Sequence, residues 1–230
     1  MMKLYQVYAE WLALRDQLVE APTPETSGLA APFFSVPAPT PSKPTSRPIM
    51  FIGKATNGEW LSESYENCRS RLISDRIEER RNATKAFLTE NKYKRYRGSG
   101  FWRMWKALKE RTGAPVIWSN AAKIGAKNGN PSWEALEPQA ELAINTLHAE
   151  VSEYRPQMLD FVTGYFARHE VVAPFLGLPI DQEKDSRGIV FTHRRSGDEP
   201  AVLWTGHPGR QGTQVIEQWV EEAVGLLTAP

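Results

Sequence analysis

A chain of 230 residues is long enough to bury a substantial core and form one large domain without covalent staples. Its single cysteine, Cys68, excludes an internal disulfide and any cysteine-ligated zinc or iron–sulfur centre within one chain, and no metal or other cofactor is expected. The formal net charge of +1 excludes neither acidic nor basic partners. No segment reaches the roughly 18 apolar residues of a membrane span. Glu10, Arg15 and Asp16 also stand where a signal peptide needs an apolar run, so a cytoplasmic, monomeric protein outside the membrane is expected.

Residues 4 to 18 place Leu4, Val7, Tyr8, Trp11, Leu12, Leu14 and Leu18 along one helical stripe, and this helix must dock on something. Residues 21 to 48 carry eight prolines among Ser, Thr and Ala, a composition that argues against packed regular structure and for a tether or wrapped arm. The chain thus divides into a helix plus Pro-rich arm over 1–47 and an α/β domain over 48–230.

From Pro48 onward the apolar runs are short and end in small or polar residues, as buried strands do when they feed functional loops. Four stand out: Ile49 to Gly53, Pro115 to Asn120, Met158 to Gly164 and Val202 to His207. Helical stretches over Glu66 to Glu90, Gly100 to Arg111 and Trp133 to Tyr154 alternate with them. This order predicts a three-layer αβα fold with a short, mainly parallel central sheet. Gly188 to His193 and Ala201 to Thr205, separated by the turn-rich RRSGDEP, predict a hairpin at one sheet edge.

Ligands of open α/β sheets bind beyond the carboxyl ends of the strands. That rule selects Gly53, Lys54, Thr56 and Asn57 after the first strand, Asn120 after the second, Gly164 and Tyr165 after the third, and His207 and Pro208 after the last. A further signal is the segment Arg69 to Arg111, with fourteen Lys and Arg against five Asp and Glu, interleaved with Tyr93, Tyr96, Phe101, Trp102 and Trp105. Such a segment suits a phosphate-bearing polymer, and it equally describes a solvated helix face with core aromatics. There is no G-x-S-x-G elbow, no phosphate loop, no G-x-G-x-x-G fingerprint and no H-E-x-x-H pair.

Four motifs in this order resemble the uracil-DNA glycosylase superfamily. IMFIGKATNG is similar to the first motif, a strand ending in glycine before the loop of the water-activating residue, and VIWSN to the strand whose terminal Asn reads the base. AINTLHAEVSEYRPQMLDFVTGYFA resembles the helix, Arg-Pro and glycine-terminated strand, and LWTGHPGRQG the strand delivering a histidine to the leaving base. The resemblance implies a DNA glycosylase hydrolysing the N-glycosidic bond of a damaged or deaminated base such as uracil, with DNA or another nucleic acid as partner. It implies His207 and Asn57 as catalytic residues, Asn120, Gly53, Thr56 and Tyr165 around the base, and Lys54 and Arg210 on phosphate.

The departures are specific. Where the family carries G-Q-D-P-Y-H, G-x-N-P-G or G-E-x-P-G, this chain reads GKATNG, with Ala55 in place of the catalytic carboxylate; H-P-S-P becomes H-P-G-R. Asn57 can position a water without deprotonating it, and Glu59 offers a carboxylate just beyond the loop. Asn120 as a loop cap, His207 as a turn residue and Thr56-Asn57-Gly58 as an ordinary turn are the plain alternatives. At the level of function, a non-catalytic nucleic-acid or nucleotide-binding protein on the same fold and a small-molecule hydrolase remain open.

Overall fold

The computed structural model describes residues 3–20, 29–36, 46–55, 71–89, 98–126, 130–179, 183–194 and 196–228. In chain order these form α1 (Leu4–Glu20), β1 (Leu29–Pro32), β2 (Ile49–Gly53), α2 (Ile73–Thr89), α3 (Gly100–Thr112), β3 (Val116–Asn120) and β4 (Ile124–Ala126). They continue with α4 (Trp133–Leu136), α5 (Ala140–Tyr154), β5 (Met158–Phe161), α6 (Ala173–Leu176), β6 (Ile189–His193), β7 (Ala201–Thr205) and α7 (Thr213–Thr228).

The central sheet has the order β3-β2-β5-β7-β6. Its first four strands are parallel, and β6 closes one edge as the antiparallel partner of β7. The chain is therefore an α/β protein with a five-stranded, mainly parallel sheet flanked by helices, as the alternation of apolar runs and helical stretches predicts. β2, β3, β5 and β7 are buried along their whole length, which is why they read as continuous apolar runs rather than alternating ones.

One face of the sheet receives α3 and α7. Phe51 packs against Phe101 with ring centroids 4.8 Å apart, and Trp118 against Trp102 at 5.0 Å. The other face receives α5 and α6, with Phe161 against Phe175 and Ser119 bonded to Glu150. α1 docks on α5 through Tyr8 and Trp11, whose indole donates to Thr146 Oγ1 at 2.7 Å.

The proline-rich stretch departs from its composition over residues 29 to 36. Leu29–Pro32 pairs antiparallel with β4, and Phe33, Phe34 and Val36 are buried in the same core as the sheet. LAAPFFSV is apolar apart from one serine, so the surface it buries offsets the extended chain's ordering entropy. Its Pro32 ends β1, where the missing N–H is tolerated.

The basic segment is largely occupied by structural work where it is described. Arg76 is buried against Asp16 at 2.9 Å, and Arg80 is fully buried. Arg71, Arg81, Lys106 and Arg111 each lie within 4 Å of a glutamate, and Arg103 reaches Thr213 Oγ1 and the Gln211 carbonyl. Trp102 and Trp105 are core residues. Tyr93 and Tyr96 lie outside the described residues.

Asp160 is an anomaly in the middle of β5. Its in-register neighbours are Phe51 and Leu203, it is fully buried, and neither carboxylate oxygen has a hydrogen-bond partner. Desolvation pushes its carboxyl well above the usual range. The unfolded chain loses this proton once the pH passes about 4 while the folded protein releases it only at higher pH, so the group destabilises the fold increasingly as pH rises above that point. Asp160→Val is expected to stabilise the protein at pH 7 by on the order of 2 kcal/mol, and by less at pH 4. Asp160→Asn should remove only the pH-dependent part. Urea unfolding at the two pH values checks both, and a gain from Asp160→Val that is equal at both would show that the carboxyl is not held neutral.

Candidate functional site

The in-register pairing of Gly53 with Asn120, and of Ile52 with Phe161, brings the ends of β3, β2 and β5 level. β7 runs beside β5 in the same direction. Asn120, Gly53, Gly164 and His207 therefore follow the carboxyl ends of four adjacent parallel strands, each about 4.8 Å from the next.

Asn120 is 1% exposed, and its Oδ1 accepts from Trp118 Nε1 at 3.1 Å. The side chain lies across Gly53, where a Cβ would stand 2.7 Å from Oδ1 and 2.9 Å from the Phe101 ring. Any residue larger than glycine at 53 would displace the asparagine or the ring. Asn120 is thus fixed in rotamer and depth by β2, β3 and the first turn of α3.

His207 caps a short 3₁₀ turn, Pro208–Arg210, and its Nδ1 accepts from the Gly209 N–H at 3.1 Å. That bond occupies the Nδ1 lone pair, so the neutral imidazole carries its proton on Nε2. Desolvation, then the positive charge of Lys54, pushes the His207 pKa down to about 4. At neutral pH the ring is an uncharged donor.

The floor around His207 is built from glycines. Gly164, in a left-handed conformation (φ 58°), approaches so closely that a Cβ there would lie 3.2 Å from the His207 amide nitrogen. Gly206 lets the Trp219 ring of α7 pack directly beneath the strand end. Gly100 opens α3 against the Pro208 carbonyl, 1.8 Å from where its Cβ would be. The α3 N-terminus therefore reaches both strand ends, with Phe101 against Gly53 beside Asn120 and Gly100 against Pro208 beside His207.

Lys54 and Ala55 follow Gly53, and the Lys54 carbonyl accepts from the Ala122 N–H at 2.8 Å. Tyr165 is 52% exposed directly after Gly164. Thr56, Asn57 and Glu59 lie outside the described residues, as does the side chain of Arg210. Asp160 shares the sheet face of Asn120 one pleat below the strand ends, but it is fully buried and out of reach of an attacking water.

Sequence reasoning passed over Gly100 and Phe101 as site residues, although a glycine before an aromatic at a helix start signals close packing. It also passed over Arg168 and Lys184, whose positions no motif marks. One cleft of about 460 Å³, lined by Lys3, Tyr5, Arg81, Ser152 and Glu153, lies elsewhere. It borders the last turn of α5, which leads into the amino end of β5, so it is remote from the strand ends described above. No protein-family model matches the chain, and comparison with curated proteins gives no match.

The depressed His207 pKa has a measurable consequence. Between about pH 6.5 and 4 the unfolded imidazole takes up a proton that the folded one refuses, so stability falls as pH falls through that window and is flat above it. By pH 4.5 the loss is expected to reach about 2 to 3 kcal/mol. His207→Gln should flatten this dependence in denaturant unfolding. An unchanged slope would place the imidazole in solvent.

Proposed function

We propose that the chain is a nucleic-acid glycosylase that hydrolyses the N-glycosidic bond of a damaged or deaminated base such as uracil. The observation that carries this reading is His207: a partly buried imidazole held neutral, with Nδ1 engaged and the Nε2–H left as donor, at the carboxyl end of a strand beside Lys54. In glycosidic cleavage the bond between the sugar and the base nitrogen breaks, and its electron pair departs with the base. Charge then develops on a base oxygen. A preorganised neutral donor with a nearby cation stabilises that charge without first surrendering a proton.

Asn120 supplies an amide that both donates and accepts, which suits a pyrimidine edge. Its burial means that a base reaches it only when the groups covering it move aside, and extrusion of a nucleotide from a stack delivers the base edge-first into such a recess. Lys54, beside His207, adds positive charge where the leaving base becomes anionic. The water that attacks the sugar finds no carboxylate at Ala55, so in this mechanism most of the barrier reduction falls on the departing base.

A second reading keeps the fold and drops catalysis. Ala55 at the water-activating position favours it, as does the engagement of Asn120 Oδ1 by Trp118. Single-turnover excision on oligonucleotides carrying uracil, hypoxanthine, xanthine or an alkylated base separates the two. His207→Ala is expected to slow excision by roughly two to three orders of magnitude, the loss typical of one preorganised donor. Ala55→Asp should raise the rate by restoring a base for water. A wild-type rate no greater than that of His207→Ala on every substrate would exclude the glycosylase reading. Activity gained only in Ala55→Asp would mark the natural chain as a binding protein.

A further inference from the structure

The turn that follows β5 holds two cations that the chemistry above does not use. Tyr165 carries Arg168 with its guanidinium carbon 5.2 Å from the ring centroid and Lys184 with its Nζ at 5.8 Å. One exposed ring thus gathers two positive charges. Neither has an acidic partner among the described residues.

Arg168 is the more telling of the pair. It is only 9% exposed, and its Nε and Nη2 are buried without a hydrogen-bond partner. These two N–H groups form the edge of the guanidinium that grips a phosphate or carboxylate with two parallel bonds. A buried cation left unsatisfied is costly to keep, and a bound anion or ordered water is the usual partner that completes one.

The backbone points the same way. Ala167 is held in the left-handed region at φ 53°, an unusual conformation for a residue with a Cβ, and it launches a π-helical turn over Arg168–Val172. Strained residues and π turns concentrate at functional sites, where geometry is maintained against local preference. Here they set the position of Arg168. Gly164, immediately before Tyr165, touches the backbone of His207, so Tyr165 follows directly on the His207 strand end.

We infer that Tyr165, Arg168 and Lys184 form a phosphate-binding subsite beside the His207 strand end, in which both cations lie against the Tyr165 ring and the Nε–Nη2 edge of Arg168, buried in the free chain, takes the phosphate oxygens once the groups covering it move aside. The inference rests on the reading of the cleft as a nucleotide site only for the source of the phosphate; the anion chemistry stands on its own residues. A carboxylate ligand would offer the same fork but lacks the further charge that Lys184 neutralises.

The test measures binding to the full chain of inorganic phosphate, a nucleoside monophosphate and a twelve-residue oligothymidylate, by calorimetry and fluorescence anisotropy over a series of salt concentrations. Arg168→Gln should weaken oligonucleotide binding about tenfold or more, and exposed Lys184→Gln severalfold. Each should lower the slope of log affinity against log salt by about one phosphate contact. Lys3→Gln, at the amino end of the sheet, should leave both unchanged. Affinity that grows with chain length identifies a polynucleotide as the source, whereas equal affinity for all three probes identifies a single phosphate; either supports the subsite.

Unchanged affinity and salt slope in both Arg168→Gln and Lys184→Gln would overturn it. Lys184 is on the surface, so its variant answers the question even if Arg168→Gln fails to fold. Excision by the wild type is scored separately. Arg168-dependent phosphate binding without base release retains the subsite and removes the glycosylase reading; base release with no effect of either variant does the reverse.

Discussion

The structure turns on the burial of Glu150. Its carboxylate, on α5, accepts from Lys123 Nζ at 2.8 Å and from Ser119 Oγ at 2.7 Å, while Ser35 Oγ and Tyr8 Oη reach it at 2.8 and 3.1 Å. Lys123, Ser119, Ser35, Tyr8 and Glu150 are all fully enclosed. Burying an ion pair costs several kcal/mol per ion unless the remaining lone pairs and protons are satisfied, and here four side chains from four segments satisfy them. Burial lowers the Lys123 pKa while the nearby Glu150 charge raises it, and burial beside the same carboxylate drives Tyr8 well above its usual value and Tyr154 to about 12. The network binds α1, the extended arm, β3 and α5 into one body.

The same network sets the candidate site. Alternation along β3 sends Ser119 to the Glu150 face and Asn120 to the opposite one. Anchoring Ser119 therefore fixes the register and twist with which Asn120 is offered to Gly53 and Phe101. A one-residue slip of β3 would exchange the two residues between faces, losing the buried carboxylate's partner and the site asparagine together.

Two of the buried polar groups without a hydrogen-bond partner lie on β5 and in the turn after it. Asp160 is buried without a hydrogen-bond partner in the apolar layer under α3 and α7, and eight residues later the Nε and Nη2 of Arg168 are buried without one while the guanidinium lies against the Tyr165 ring. They have different physical standing. Asp160 eases its burial through a carboxyl pushed well above the usual range, which favours the neutral form. A guanidinium has no such escape, because it stays charged at any accessible pH and needs an acceptor such as a phosphate, carboxylate or carbonyl oxygen to complete it. The glycines at 53, 100, 164 and 206 add a second kind of local cost, since each gives up a side chain so that Asn120, Pro208, His207 or Trp219 can approach.

Much of this architecture was legible from the chain itself. Short apolar runs ending in small or polar residues, alternating with helical stretches, specify buried parallel strands, and RRSGDEP between two of them specifies an edge hairpin, because these features depend on period and turn chemistry along a few consecutive residues. The end-of-strand rule likewise singled out Gly53, Asn120, Gly164 and His207. Composition misled over residues 29 to 36, where proline content outweighed an apolar octet that needs only a neighbouring β4 to pack against. In the basic segment, Arg76 and Arg80 count as charges in a sequence, whereas burial and ion pairing take them away from solvent. Tertiary structure alone decided the tautomer and charge of His207, since these depend on the Gly209 amide, on Lys54 and on exclusion of water. It also decided that Arg168 and Lys184 both reach the Tyr165 ring, because cation–π contact and desolvation arise from the packing of distant segments and leave no periodic trace in the sequence.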